Sequence, residues 1–195
     1  MNLPNRLTFL RIILTFVFMI FLFTGGVFFR ISALFVVAIA MITDIIDGQI
    51  ARSRKMITTL GKLIDPLADK ILVTAAFISF VELGLVPAWM VVVIISREFA
   101  VTGLRLIASS KGKIIAASNM GKHKTISQMV VIIIILVLLI AKESFVVLKF
   151  NADFINLFDY WGGIFIYMSM LVTIVLTMLS GYVYIRNNIS LLKED

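Results

Sequence analysis

Six apolar segments dominate the sequence, and each is close to the roughly 20 residues that an α-helix needs to cross a bilayer. They cover approximately residues 7–28, 32–51, 64–85, 87–108, 125–141 and 160–185. Of the 195 residues, 61% are hydrophobic and 15% are charged, whereas roughly 25% of a soluble domain is charged. One soluble core could not enclose so much apolar surface. We therefore expect an all-α integral membrane protein, a single domain over residues 1–195 with six transmembrane helices.

The remaining composition narrows the possible chemistry. The chain has no cysteine, which excludes disulfides, Cys-ligated zinc, iron–sulfur clusters and thiol chemistry. Its formal net charge is +7. In a membrane protein such a charge indicates anchoring at the cytoplasmic face and anionic lipid or phosphate ligands, and it does not indicate a nucleic-acid partner.

The distribution of Lys and Arg predicts the orientation of the chain. If both termini and the polar stretches 52–62 and 109–124 lie on one side of the membrane, fifteen of the eighteen basic residues lie there. Arg30, Lys142 and Lys149 remain on the other side. The positive-inside rule makes the first side cytoplasmic, so we expect a multi-pass protein of the cell membrane with both termini in the cytoplasm.

Two further segments mix polar and apolar residues. Asn2–Arg11 places two arginines beside Leu and Phe residues, which predicts an interfacial amphipathic segment before the first span. Residues 142–159 combine charges with Phe, Val and Leu, and we interpret them as the link between the fifth and sixth spans.

Four of the eleven acidic residues lie close together in this basic chain. Asp44 and Asp47 end the second apolar segment, and Asp65 and Asp69 open the third. At about 100° per residue, each pair falls on one face of its helix, so the four carboxylates can converge at the cytoplasmic end of two antiparallel helices. Pro66 predicts a helix start or a local kink near Asp65, because proline breaks a helical hydrogen bond outside the first turn.

Small residues share these two faces. Gly48 and Ala51 lie on the stripe of the first aspartate pair, and Gly61 lies on the stripe of the second pair. Because glycine has no side chain and alanine has only a methyl group, these residues leave room for a ligand to approach the backbone.

Four carboxylates at this spacing repel one another, and ionised acids near a bilayer are costly unless cations neutralise them. Oxygen ligands without nearby His or Cys favour Mg²⁺ or Mn²⁺, with Ca²⁺ as a further option. Two such metals suit phosphoryl transfer, because they can clamp a diphosphate. The alternative is a set of helix-capping aspartates balanced by Arg52, Lys62 and Lys70.

The aspartate pattern resembles the signature of the CDP-alcohol phosphatidyltransferase family, D-x-x-D-G-x-x-A-R-x8-G-x3-D-x3-D. All eight fixed positions match over residues 44–69. The resemblance implies six membrane helices, a cytoplasmic active site, a bacterial cell membrane and a homodimer.

The resemblance also implies roles for individual residues. Two divalent cations would be bound by Asp44, Asp47, Asp65 and Asp69, and Asp69 would be the general base. The site for the CDP group of CDP-diacylglycerol would be shaped by Gly48, Ala51, Arg52 and Gly61. An acceptor hydroxyl would then attack the phosphorus bonded to diacylglycerol, and CMP would leave.

Basic residues beyond the signature bear on the acceptor alcohol. Arg97 and Arg105 are about 80° apart on one helical face, and arginine pairs can hold a phosphate. Lys122 and Lys124 would be about 200° apart on a continuous helix, so they share a pocket only if the helix starts at or after them. The alternative role of all four is topological, with side chains that snorkel to lipid headgroups.

These stretches, Ser96–Arg105 and Gly121–Thr125, resemble the family members that form phosphatidylglycerol phosphate from sn-glycerol 3-phosphate. The start of the chain, Asn2–Asn5 with Thr8 and Arg11, shares that resemblance. We interpret Glu98 as a structural partner of an arginine, and His123 as a solvated loop or interface residue.

Three alternatives remain. The same transfer could use inositol phosphate or serine as acceptor. A membrane prenyltransferase also binds diphosphate through Asp-rich motifs, but such enzymes need more spans. A divalent-cation transporter would place acids along the bilayer midplane, whereas these lie at one face beside basic residues.

Overall fold

The structure is a computed structural model that describes residues 3–54, 59–110 and 119–188, with side chains for residues 9–43, 70–108, 121 and 123–188. The elements in these ranges are six α-helices. They are α1 (Leu3–Thr24), α2 (Val27–Arg54), α3 (Thr59–Glu82), α4 (Ala88–Ser110), α5 (Asn119–Val147) and α6 (Ala152–Asn188). The all-helical class and the six helices expected from the apolar segments are confirmed.

Glycines end the first and third helices. Gly25 and Gly26 have φ values of 75° and 86°, a left-handed conformation that glycine adopts without steric cost, and they separate α1 from α2. At the end of α3, Gly84 has φ 69°, its N–H donates to the Val81 carbonyl at 2.9 Å, and Leu85 N–H donates to the Phe80 carbonyl at 2.9 Å. This pair of bonds is a Schellman motif, which satisfies the last carbonyls of the helix.

Three expected boundaries differ from the structure. Helix α1 is continuous from Leu3, so the interfacial segment is not a separate element. Helix α3 begins at Thr59 and includes Pro66 in its interior, so the expected helix start near Asp65 is wrong, while the alternative of a local kink there stays a prediction. Helix α5 ends at Val147 and helix α6 begins at Ala152, so their link is residues 148–151 instead of residues 142–159. Helical hydrogen bonding continues past the apolar residues in all three cases, which is why hydropathy misplaced these ends.

The helix contacts form a ring. Helix α1 packs against α2, α2 against α5, α5 against α6, α6 against α4, α4 against α3, and α3 against α1. Helices α3 and α5 also meet across the ring. Its core is apolar, with Phe18, Phe77, Phe80, Met90 and Ile132 all fully buried. This order brings α4 and α6, which are far apart in sequence, into direct contact.

The exposed surface of the bundle is as apolar as its interior. On α1, Arg11 and Thr15 are buried while Phe16 and Ile20 are 61% and 63% exposed. Helix α6 has the same arrangement, with polar residues inside and large apolar residues outside. Its buried face carries Thr173, Thr177 and Ser180, and its exposed face carries Val172, Val175 and Met178. Water would not stabilise such a surface, whereas lipid would.

Helix length leads to the same conclusion. Among the described residues, His123–Val147 and Ala152–Asn188 are long and apolar enough to cross a bilayer, and only 22% of the most apolar part of each is buried. Phe9–Thr24 and Val27–Thr43 are shorter apolar stretches. Since the long helices are not enclosed as the core helix of a soluble protein would be, the fold indicates a membrane protein.

Ion pairs join the helices at one end of the bundle. Arg30 Nε near the start of α2 lies 2.9 Å from Glu143 Oε1 near the end of α5. Lys142 Nζ lies 2.7 Å from Asp159 Oδ1 near the start of α6. This is the end at which the charge distribution placed Arg30 and Lys142, opposite to the aspartate motif.

Candidate active site

The four motif aspartates lie on two helices with shared neighbours. Asp44 and Asp47 belong to α2, and Asp65 and Asp69 belong to α3. Both helices pack against α1 and against α5. Because the two pairs keep helical spacings of three and four residues, each pair occupies one face of its helix. Their side chains lie outside the described part, as do the surroundings of four other motif residues, Gly48, Ala51, Arg52 and Gly61.

A cluster of charges begins one residue after Asp69. Glu98 on α4 forms three ion pairs. Its Oε1 atom pairs with Lys124 of α5 and, at 3.2 Å, with Nη1 of Arg97. Its Oε2 atom lies 3.6 Å from Nζ of Lys70 on α3. Lys70 also donates to the Glu98 carbonyl at 2.9 Å and to the hydroxyl of Thr102. We call Lys70, Arg97, Glu98 and Lys124 the Glu98 cluster. It joins α3, α4 and α5 beside the aspartate motif.

The Glu98 cluster has one carboxylate for three cations. The side chains of Glu98, Arg97 and Lys124 are 16%, 10% and 5% exposed. Charges removed this far from water interact more strongly than surface charges do. The expected pairing of Glu98 with an arginine is confirmed, and the structure adds two lysines to it.

The two arginines expected to share a face both contact α6. Arg97 Nη2 donates to Ser180 Oγ at 2.6 Å. Arg105 Nε donates to the Tyr184 hydroxyl at 3.0 Å, and its guanidinium carbon lies 5.3 Å from the centroid of the Tyr184 ring. The common face of Arg97 and Arg105 is therefore confirmed, while their binding of a phosphate remains a prediction.

The residues of α6 that receive these arginines were not predicted from the sequence. Ser180 and Tyr184 are buried, at 1% and 4% exposed, and Gly181 lies between them against Arg97. A signal was present, since Ser180 and Tyr184 are four residues apart in an apolar segment and hence on one helical face. Nothing in the sequence indicated that this face meets α4.

The two lysines of the fifth segment do not share a face. Helix α5 begins at Asn119, before both, so Lys122 and Lys124 are about 200° apart on one continuous helix. The condition for a shared pocket is therefore not met. Lys124 is buried against Glu98, and the side chain of Lys122 lies outside the described part. His123 is exposed on the helix and does not belong to a loop.

A cleft opens beside the Glu98 cluster between α3, α4 and α5. Val73, Phe77 and Ile94 form its apolar part, while Lys70, Glu98, Lys124 and Gln128 form its polar part. The Nε2 atom of Gln128 is buried and has no hydrogen-bond partner among the described residues. The cleft is narrow, and both polar and apolar side chains line it.

Among the described side chains, no three His, Cys, Asp or Glu residues lie close enough to hold a metal ion. The side chains of the four motif aspartates are not among these. Their binding of metal ions, and the role of Asp69 as general base, therefore stay predictions.

Comparison with known proteins places the chain in a family. Residues 1–179 match the family model described as CDP-alcohol phosphatidyltransferase. The chain is 38% identical to the CDP-diacylglycerol–glycerol-3-phosphate 3-phosphatidyltransferase of Bacillus subtilis (strain 168), over 100% of this chain and 98% of that protein. A protein of the same name from Rickettsia bellii (strain RML369-C) is 31% identical over 95% of this chain and 94% of its own length. A probable phosphatidylglycerophosphate synthase of Mycobacterium tuberculosis (strain ATCC 25618 / H37Rv) is 44% identical over 67% of this chain and 64% of its own length. With the family model covering most of its length, this chain belongs to the CDP-alcohol phosphatidyltransferase family.

Proposed function

We propose that the protein transfers the phosphatidyl group of CDP-diacylglycerol to sn-glycerol 3-phosphate, which yields phosphatidylglycerol phosphate and CMP. The observation that carries this proposal is similarity over the whole chain to a bacterial protein named for that reaction. The apolar surface of the bundle supports it as well, because the donor is a lipid and its diacylglycerol part stays in the membrane.

The proposed reaction is a single displacement at phosphorus. Asp69 accepts the proton of the acceptor hydroxyl, and the freed oxygen attacks the phosphorus that carries diacylglycerol. A new bond forms between that phosphorus and the acceptor oxygen, while the bond to the CMP oxygen breaks. CMP leaves with the electron pair, and no covalent intermediate with the enzyme is needed.

The residues of the motif fit a divalent-metal site, since they supply four carboxylates from one face each of two helices with common neighbours. Asp44, Asp47, Asp65 and Asp69 would hold two ions, Mg²⁺ or Mn²⁺. When bound, such ions neutralise a diphosphate and stabilise the charge that develops on the leaving group. The small residues Gly48, Ala51 and Gly61, with Arg52, would leave space for the cytidine diphosphate group. These roles follow from the family signature.

The acceptor phosphate would bind on the cationic side of the site. Arg97 and Arg105 approach α6 from one face of α4, and Lys124 lies across the Glu98 cluster from Arg97. Guanidinium groups match the geometry of a phosphate, and each retains N–H donors beyond those used within the protein. Lys122 does not share a helical face with Lys124 and is not part of this proposal.

The proposed topology has six membrane-spanning helices, with both termini and the aspartate motif on the cytoplasmic side. The gathering of Arg30, Lys142 and Lys149 at the opposite end of the bundle supports this orientation. A homodimer is expected from the family resemblance.

The test is CMP release by the purified full-length chain in vesicles that contain CDP-diacylglycerol. We expect release with sn-glycerol 3-phosphate and Mg²⁺ or Mn²⁺, and loss of release when a chelator removes the metal. Inositol phosphate and serine should release little CMP. Release with one of these acceptors but not with sn-glycerol 3-phosphate would refute the acceptor, and no release with any acceptor would refute the enzyme.

A further inference from the structure

We propose that Ser180, Gly181 and Tyr184 on α6 are positioning residues that hold Arg97 and Arg105 in the orientation that receives the acceptor phosphate. The inference rests on the proposed function, because it needs the two arginines to bind that phosphate. It adds a helix from the far end of the sequence to a site that the family signature places on α2 and α3.

Gly181 provides space for Arg97. A Cβ atom at Gly181 would lie 2.9 Å from Cγ of Arg97 and 3.4 Å from its Nε. Side-chain carbons do not approach that closely, and Cγ lies near the stiff, backbone end of the arginine. The arginine would therefore have to leave its place. Gly181 is helical, so what its lack of a side chain supplies here is room and not an unusual backbone conformation.

Ser180 fixes one end of the same guanidinium. Its Oγ accepts from Nη2 at 2.6 Å, while Glu98 on the other side accepts from Nη1 at 3.2 Å. The guanidinium is thus held between a carboxylate on α4 and a hydroxyl on α6. Its five N–H donors exceed the two bonds made to these partners, and Nε has no hydrogen-bond partner among the described residues.

Tyr184 holds the guanidinium of Arg105 through its hydroxyl group and its aromatic ring. The hydroxyl accepts from Nε at 3.0 Å, and the ring lies 5.3 Å from the guanidinium carbon. The tyrosine is itself held by a small apolar cluster with Val101 and Leu104. The hydrogen bond to Tyr184 uses only the Nε–H donor of Arg105, and Arg105 is exposed.

Holding the arginines before the ligand arrives has a functional consequence. An arginine side chain has many rotamers, and a ligand that must order them binds more weakly. If α6 orders both side chains in advance, the acceptor phosphate binds more tightly, with no effect on the lipid donor. Loss of these contacts should therefore raise the KM of the acceptor and leave the KM of CDP-diacylglycerol unchanged.

The experiment compares Gly181→Ala with Gly162→Ala in the full-length protein in vesicles. Gly162 lies on the same helix, and a Cβ there would meet no atom of the described structure within 4 Å. We expect Gly181→Ala to raise the KM of sn-glycerol 3-phosphate about tenfold, with kcat and the KM of CDP-diacylglycerol within about twofold of wild type. Gly162→Ala should match wild type in all three.

Tyr184→Phe is the second variant, since it keeps the ring and the packing of the cluster but removes the hydroxyl. It should raise the acceptor KM about threefold to tenfold while the protein remains folded at the assay temperature. Equal acceptor KM values for Gly181→Ala and Gly162→Ala, or a parallel rise in the KM of both substrates, would overturn the positioning role. Wild-type protein that releases no CMP with sn-glycerol 3-phosphate would instead refute the proposed function, and the inference with it.

Discussion

Glu98 on α4 forms an ion pair with Lys124 on α5, and the two side chains are only 16% and 5% exposed. The same carboxylate also receives Arg97 and Lys70. Removing one partner from a buried pair leaves an uncompensated charge, which costs more than the pair contributes when intact. Glu98 therefore compensates three cations that belong to three different helices.

Replacing Glu98 by Gln should destabilise the protein by about 2 kcal/mol, because three cations lose their shared counter-charge while remaining close together. Unfolding of the purified protein in detergent micelles measures the change. Glu82→Gln is the matched control, since Glu82 is exposed at the end of α3 and its loss should change stability by less than about 0.5 kcal/mol. Equal stabilities for the two variants would contradict this account of Glu98.

Replacing Asp69 by Asn should reduce kcat by a factor of about 100 or more, because the amide cannot accept the proton of the acceptor hydroxyl. The readout is CMP release at saturating substrates, with helical content followed by circular dichroism. Asp159→Asn, at the opposite end of the bundle, should retain wild-type turnover. If Asp69→Asn turns over at the wild-type rate, Asp69 is not the base.

Replacing Arg105 by Lys keeps the charge but removes the planar guanidinium, its bond to Tyr184 and its contact with the ring. We expect the KM of sn-glycerol 3-phosphate to rise about tenfold, while the KM of CDP-diacylglycerol stays within about twofold. Arg186→Lys is a control on an exposed arginine near the end of α6. An unchanged acceptor KM in the Arg105 variant would mean that this arginine has only a topological role.

Replacing Glu143 by Gln tests the opposite end of the bundle. Arg30 is 8% exposed and pairs with Glu143 at 2.9 Å, so the variant leaves a largely buried cation without its counter-charge. Stability should fall by about 2 kcal/mol, while the KM of both substrates stays unchanged in protein that remains folded. Unfolding in micelles and steady-state kinetics on the same preparation separate the two effects. A selective rise in the KM of the acceptor would contradict the placement of the site at the other end.

The aspartate motif was recognisable because helical spacing is local: residues three and four apart share a face whatever the rest of the chain does. The apolar segments were recognisable for a similar reason, since a helix that crosses lipid must be apolar along its whole length. Helix ends were less predictable, because helical hydrogen bonds continued past the apolar residues at α1, α3 and α5.

The six helices, the aspartate motif and the common face of Arg97 and Arg105 were predictable from the sequence, as was the family that the comparisons then confirmed. Which groups meet those arginines depends on the tertiary packing. Ser180 and Tyr184 follow Arg97 and Arg105 by 83 and 79 residues, and the contacts depend on the packing of α4 against α6 and on the rotation of each helix about its axis. Hydrophobicity does not determine that rotation in a chain whose outer surface is as apolar as its core, so local pattern could not reveal the contacts.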